Sequence, residues 1–130
     1  MDTIALTLDL IRQQGVPAGV GAHSLETPIA CQQQKLPVDF YVKTFHMDRY
    51  WSATPAERRE EYCWYKPQTV DHGGYHDNMW CLDADKTAAF MATVTQPWIA
   101  FKVLAAGAIL PIQGFSYAFK SGADFIAVKR

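Results

Sequence analysis

The chain has 130 residues, of which 49% are hydrophobic and 19% are charged, and its formal net charge at pH 7 is −1. This length predicts a single domain or part of one, with enough apolar residues for a core. The near-neutral charge and the lack of a basic stripe argue against nucleic acid or an anionic membrane surface as a partner, and no run approaches the roughly 20 apolar residues of a membrane span.

The first residues and the cysteines bear on the compartment. Residues 1–3 lack the basic region and the cleavage site of a signal peptide, which favours the cytoplasm. The three cysteines, Cys31, Cys63 and Cys81, are an odd number and do not form a disulfide framework. Reduced thiols are therefore expected, in agreement with a cytoplasmic location.

Hydrophobic periodicity and turn residues predict four helices and four strands in strict alternation. In chain order they are a helix over 3–14, a strand over 17–22, a helix over 25–34, a strand over 38–45, a helix over 83–95, a strand over 98–104, a helix over 111–120 and a strand over 124–128. Such alternation implies right-handed crossovers and a parallel sheet.

Four strands that are apolar on both faces do not close on themselves, whereas eight close into a TIM barrel of about 250 residues. We therefore predict an α/β fold in which residues 1–130 form a single, partial domain, half of a TIM barrel. A four-stranded open sheet is the alternative.

Residues 47–82 separate the second strand from the next helix, and they exceed the roughly 12–15 residues at which unstructured loops become uncommon. Their many aromatic side chains argue against disorder. Because this insertion follows the carboxyl end of a strand, we predict a lid over the active face of the barrel.

Three segments carry a family resemblance: GVPAGVGAH at 15–23, VDFYVKTF at 38–45 and AFKVLAAG at 100–107. In this order they resemble the C-terminal half of an uncharacterised bacterial family of TIM-barrel proteins, with segments such as GIPVGLGTH, VDFYMTCFY and CLAFKILAAG. The resemblance covers roughly residues 10–128 outside the insertion and implies the fold rather than an activity.

Residue by residue, the resemblance marks a small set of matching positions and omits others. The matching positions are His23, Tyr41, Lys102 and Gly107. Lys43 and His46 are not marked, because the family segments have other residues there. The chain also departs from the family at residues 129–130, where the family continues into a Gly-Met turn, so a loop of the active face is expected to be missing.

Lys102 is the one charge in an otherwise apolar strand. Alternation places it with Ala100 on one face, predicted to be the barrel interior, and places the bulky Ile99 and Phe101 on the face that packs on helices. An interior lysine either forms an imine, with its pKa lowered by burial, or holds a substrate carboxylate or phosphate as a fixed cation. The alternative is a structural pair with Asp39.

His23 ends the first predicted strand, where an imidazole is either a general acid/base, a metal ligand or a packing residue at the next helix. Lys43 and His46 end the second strand. Lys43 shares a face with Tyr41, and His46 is predicted to lie at the rim. If that face is interior, Lys43 approaches Lys102, and the two lysines favour an anionic substrate. In the opposite register Lys43 is a surface residue.

The small turn Ala105-Ala106-Gly107 either presents backbone N–H groups to an anion or is merely a tight turn. The predicted catalytic residues are Lys102, His23 and Lys43. The predicted substrate-binding residues are Tyr41, His46, Ala105, Ala106 and Gly107.

Cysteine and histidine residues of the insertion suggest a zinc site. Cys63, His72, His76 and Cys81 form a C-x8-H-x3-H-x4-C pattern, whose ligand types suit tetrahedral zinc. The Cys-to-His spacing is not standard and no C-x2-C knuckle is present. Ordinary polar residues in a loop ordered by aromatic packing are the alternative.

Two functions are consistent with these features. The first is a lyase or isomerase acting on a small anionic or sugar-like substrate, with Lys102 as the electrostatic or imine-forming group and His23 as its proton-transfer partner. The second is a non-catalytic half-barrel, or an inactive fragment of a longer barrel protein. Such a half pairs with a second copy or with a missing N-terminal half, or binds a ligand or zinc through the insertion.

Overall fold

A computed structural model describes residues 1–59 and 80–129 of the chain. The helices are α1 (Asp2–Arg12), α2 (Glu26–Gln33), α3 (Ala84–Met91) and α4 (Pro111–Lys120). The strands are β1 (Gly19–Ala22), β2 (Phe40–Thr44), β3 (Trp98–Phe101) and β4 (Phe125–Ala127). The predicted alternation is confirmed, although α3 and β3 end earlier than predicted. In this part of the chain no helix is both long and apolar enough to cross a bilayer.

The four strands form one parallel sheet in the order β1-β2-β3-β4. Val20 pairs with Tyr41, and Tyr41 pairs with Trp98. Because each strand lies beside the next strand of the chain, right-handed crossovers place the connecting helices on the same face of the sheet. The predicted α/β fold with a parallel sheet is therefore confirmed.

The hydrophobic core lies between that face and the helices. Each helix contributes buried side chains to a single cluster, including Leu8, Cys31, Met91 and Ala118. The strands contribute Val20, Tyr41, Trp98 and Ala100 to the same cluster. The ring of Phe45, just after β2, stacks on Tyr117 with 5.2 Å between centroids, and this contact extends the core toward the carboxyl ends of the strands.

The opposite face of the sheet is also apolar, but among the described residues it lies outside this core. By alternation it carries Phe40, Val42, Ile99 and Phe125, and the side chain of Phe125 is 59% exposed. The prediction that Ile99 and Phe101 pack on the helices is therefore wrong. The broad indole of Trp98 and the small Ala100 occupy that face instead.

The end of β3 corrects the prediction for Lys102. The strand stops at Phe101, because Lys102 adopts a left-handed backbone with φ of 58°. Ala105 and Ala106 are also left-handed, at 44° and 55°, which costs roughly 1–2 kcal/mol per non-glycine residue. Lys102 thus begins a tight turn and is not an interior position of the strand.

Two aspartates tie the amino ends of neighbouring strands together. Asp39 Oδ2 accepts a hydrogen bond from the Ala18 N–H at 2.8 Å, and Asp124 Oδ2 accepts one from the Trp98 N–H at 2.9 Å. Asp39 Oδ1 also lies 3.1 Å from Nη1 of Arg12. The predicted alternative of an Asp39–Lys102 pair is wrong, because Asp39 lies at the opposite edge of the sheet and pairs with Arg12.

Gly114 is the point at which α4 packs most closely on the turn after β3. A Cβ atom on this residue would lie 2.7 Å from the carbonyl oxygen of Val103. We expect Gly114→Ala to lower the free energy of unfolding by about 1–3 kcal/mol. The atom that the new methyl group would meet belongs to the backbone of Val103, which cannot move aside as the end of a flexible side chain can. The control is Gly21→Ala, whose Cβ would lie 3.8 Å from Val42. Equal urea-unfolding midpoints for the two variants would contradict this packing.

Candidate functional site

The residues after the strands meet at the carboxyl edge of the sheet. His23 follows β1 and Lys102 follows β3, and both contact Trp80, which reaches this edge from the end of the insertion. The His23 and Trp80 ring centroids are 5.1 Å apart. Nζ of Lys102 lies 3.5 Å from the Trp80 ring centroid, a cation–π contact. The structure thus brings the predicted His23 and Lys102 together around one indole.

His23 is oriented by the end of β2. Its Nδ1 lies 2.6 Å from Oγ1 of the buried Thr44, and its ring centroid lies 5.4 Å from that of Phe101. Burial lowers the pKa of His23, and the positive charges of Lys102 and Lys43 lower it further. The imidazole is therefore neutral at neutral pH, the state that a general base requires.

A cleft of about 780 Å³ opens at this edge, and its lining includes Trp80, Phe101, Lys102, Ala106 and Gly107. This volume suits a small-molecule ligand. His23 does not line this cleft, but its ring contacts two of the lining residues, Trp80 and Phe101. Ala105 is buried, and its N–H donates to the Lys102 carbonyl at 2.9 Å, while the Gly107 N–H donates to Leu104 at 2.8 Å. The backbone N–H groups of Ala105 and Gly107, which were predicted to bind an anion, therefore already donate hydrogen bonds within the turn.

Lys43 is buried, with only 2% of its surface exposed. Its Nζ donates to the carbonyl oxygens of His23, at 2.8 Å, and Thr44, at 2.7 Å. Burial lowers the pKa of Lys43, and the nearby Cys81 and Asp83 partly offset this effect. Lys43 points to the helix-covered face together with Tyr41, so neither predicted placement, facing Lys102 or on the surface, describes it. It joins the ends of β1 and β2.

His46 lies buried rather than at the rim, with 1% of its surface exposed. Its Nδ1–H donates to the Met47 carbonyl at 2.8 Å. Its Nε2 accepts the backbone N–H groups of Trp80 at 3.0 Å and Cys81 at 3.1 Å. Burial lowers the pKa of His46 to about 4, so the ring is neutral over the physiological range. The predicted rim position is therefore wrong.

Tyr41 belongs to the core and not to the cleft. Its ring is 1% exposed, and its hydroxyl accepts a hydrogen bond from Nε2 of Gln32 at 3.0 Å. The same amide donates to Oε1 of Gln96 at 3.1 Å, so Gln32 of α2 connects Tyr41 in β2 to the residues just before β3. Burial raises the pKa of Tyr41. These contacts give Tyr41 a role in packing.

The predicted zinc ligands Cys63, His72 and His76 lie outside the described residues. The fourth, Cys81, is buried, with its Sγ 4.0 Å from Oγ1 of Thr87, and burial raises the pKa of its thiol. Residues 1–59 and 80–129 contain no group of three His, Cys, Asp or Glu side chains that could hold a metal ion. The zinc site stays a prediction.

Two residues of the site were not predicted from the sequence. Thr44 is a polar residue at the end of an apolar strand, a signal that the sequence contains. Trp80 is one of several aromatic residues in the insertion, and nothing in its spacing singles it out. The end of the insertion brings this one residue to the carboxyl edge, and the lid stays a prediction.

No protein-family model, no curated protein and no solved structure matches the chain. The resemblance to a TIM-barrel family therefore stays a prediction from the quoted segments.

The buried His46 predicts a specific loss of stability in acid. Between pH 6.5 and about 4, the unfolded chain binds a proton on this residue that the folded chain does not bind. Stability is thus fully present above pH 6.5, and His46 removes about 3 kcal/mol of it as the pH falls to 4. In urea unfolding from pH 7 to 4, His46→Gln should show a smaller decrease than the wild type. Parallel decreases would contradict the assignment.

The charge of Lys102 predicts a second measurable effect. Lys102→Met should raise the pKa of His23, because it removes a neighbouring positive charge. Histidine-labelled NMR titration measures this value directly. Lys120→Met, at the exposed end of α4, is the matched control and should leave it unchanged. An unchanged pKa in Lys102→Met would show that the two groups do not interact.

Proposed function

We propose that this chain is part of a TIM-barrel enzyme of the lyase or isomerase type, acting on a small anionic or sugar-like substrate. The consecutive order of parallel strands supports a barrel wall, because barrels place all their helices on one face of the sheet. The location of the cleft supports an active site, since TIM-barrel enzymes work at the carboxyl ends of their strands.

The contact of His23 and Lys102 with the same indole carries the proposal. It connects a neutral imidazole, through the Trp80 ring, to a cleft that the Lys102 ammonium group lines. In a proton-transfer reaction, the imidazole removes a proton from the substrate and the ammonium stabilises the negative charge that develops. Such a pair is suited to a substrate that already carries a carboxylate or a phosphate.

The contacts favour the electrostatic role for Lys102 over imine formation. An indole face attracts an ammonium ion through its quadrupole, and Nζ lies 3.5 Å from the ring centroid. Lys43 is assigned a positioning role in this proposal. Its Nζ is buried and donates to two backbone carbonyls, so it acts on the site by holding His23 and Thr44 in place.

The uncovered apolar face favours a second candidate, association of this half with another half. Phe40, Ile99 and Phe125 lie on that face, and within the described part of the chain β1 and β4 each have one neighbouring strand. Unpaired edges invite pairing. Native mass spectrometry distinguishes a dimer from a monomer. A species of twice 14.6 kDa supports pairing with a second copy, and a protein that remains monomeric at high concentration contradicts it.

Proton transfer is tested by hydrogen–deuterium exchange into small carbon acids. A panel of 2-oxo acids, 2-hydroxy acids and sugar phosphates is incubated with the protein in D2O and followed by proton NMR. We expect at least one member to exchange its activated C–H. His23→Gln and Lys102→Met should reduce the rate by about 100-fold or more, and Lys120→Met should not.

Two results would contradict the proposed function. One is a panel in which no member exchanges faster than in buffer. The other is exchange that persists at the wild-type rate in His23→Gln. Trapping with borohydride separates the two roles of Lys102, because a reduced imine adds a covalent mass that an electrostatic contact does not.

A further inference from the structure

The backbone that carries Trp80 is held by a buried histidine from the end of β2. Nε2 of His46 accepts the N–H groups of both Trp80 and Cys81, at 3.0 and 3.1 Å. These residues are separated from His46 by more than thirty positions in the chain, so the hydrogen bonds join the start and the end of the insertion.

The imidazole is fixed in one orientation and one tautomer. Nδ1–H donates to the Met47 carbonyl at 2.8 Å, which leaves Nε2 as the acceptor for both backbone donors. Tyr50 packs against the ring edge to face, with centroids 5.7 Å apart. A flipped ring would lose three hydrogen bonds in a buried environment, where each unsatisfied group costs about 1–3 kcal/mol.

The side chain of Trp80 transmits this constraint to the cleft. Its ring is in contact with His23, just after β1, and with the Lys102 ammonium after β3. Trp80 also lines the cleft itself. The position of its backbone therefore bears on the position of both the imidazole and the ammonium.

We propose that His46 is a positioning residue, which sets the Trp80 indole against His23 and Lys102 through its two backbone hydrogen bonds. Its catalytic meaning rests on the proposed function, but the structural link does not. His46 touches no substrate. It acts by excluding water from His23 and by keeping Lys102 at the mouth of the cleft.

Two substitutions separate the hydrogen bonds from the bulk of the ring. His46→Gln keeps an acceptor near the position of Nε2, whereas His46→Met fills similar space without one. In the wild type and in His46→Gln, we expect nuclear Overhauser contacts between the Trp80 indole and the His23 imidazole. In His46→Met these contacts should be lost.

The pKa of His23 gives a second readout that a purely structural role would not move. Burial is the main cause of its lowered value, and Trp80 provides part of that burial. The pKa of His23 should therefore rise toward its ordinary value in His46→Met and stay low in His46→Gln. Wild-type contacts together with a wild-type pKa in a folded His46→Met would overturn the proposal.

A third measurement covers the case in which His46→Met does not fold. Amide hydrogen exchange of Trp80 and Cys81 in the wild type should be slow, as expected for donors to a buried acceptor. Exchange at the rate of unprotected amides would overturn the proposal.

The experiments distinguish this proposal from the proposed function. If the contacts and the pKa respond as expected while no carbon acid exchanges its proton in the wild type, the link through His46 stands and the enzymatic proposal fails. If proton exchange falls in His46→Met while the Trp80 contacts remain, the positioning proposal fails and the enzymatic one stands.

Discussion

The consecutive order of parallel strands is the constraint on which the rest of this structure depends. Right-handed crossovers between adjacent strands place the connecting helices on one face and bring every strand end to the same edge. The first consequence is that the core formed by the described residues lies on the helix-covered side of the sheet, around Tyr41 and Trp98. The second is that His23 and Lys102, nearly eighty residues apart, contact the same indole.

Within residues 1–59 and 80–129, the buried polar groups Lys43, Thr44 and His46 at this edge have partners that join separate strands. Lys43 donates to carbonyls at the ends of β1 and β2, and Thr44 lies within hydrogen-bond distance of His23. His46 connects β2 to the segment that carries Trp80. Because a buried polar group without a partner is costly, this set of hydrogen bonds allows few alternative arrangements of the strand ends.

The sequence predicted the elements well because they depend on local patterns. The bounds of α4, Pro111–Lys120, match the prediction, since a proline begins the helix and Ser-Gly ends it. The end of β3 was missed because the left-handed residue there is Lys102 and not a glycine. Alternation defined two faces of β3, but it does not show which face the helices cover. The small side chain of Ala100 suggested an interior face of the barrel, whereas this face packs against the helices.

The site was only partly predictable, because its contacts join distant parts of the chain. Strand-end position was enough to select His23 and Lys102. It could not show that Lys43 bonds to a carbonyl twenty residues away, or that Trp80 comes from the insertion to lie between the two selected residues. Those facts depend on tertiary packing, on which hydrophobic periodicity carries no information.

The proposed function requires that small anions bind at the carboxyl edge of the sheet. The amino edge offers a competing cavity of about 720 Å³ beside Arg12 and Asp39. An NMR titration of the wild-type protein with inorganic phosphate tests the two locations directly. If anions bind at the carboxyl edge, saturable chemical-shift changes are expected at His23, Trp80 and Lys102. Chemical-shift changes centred on Arg12, or no saturable change at all, would rule out anion binding at the carboxyl edge.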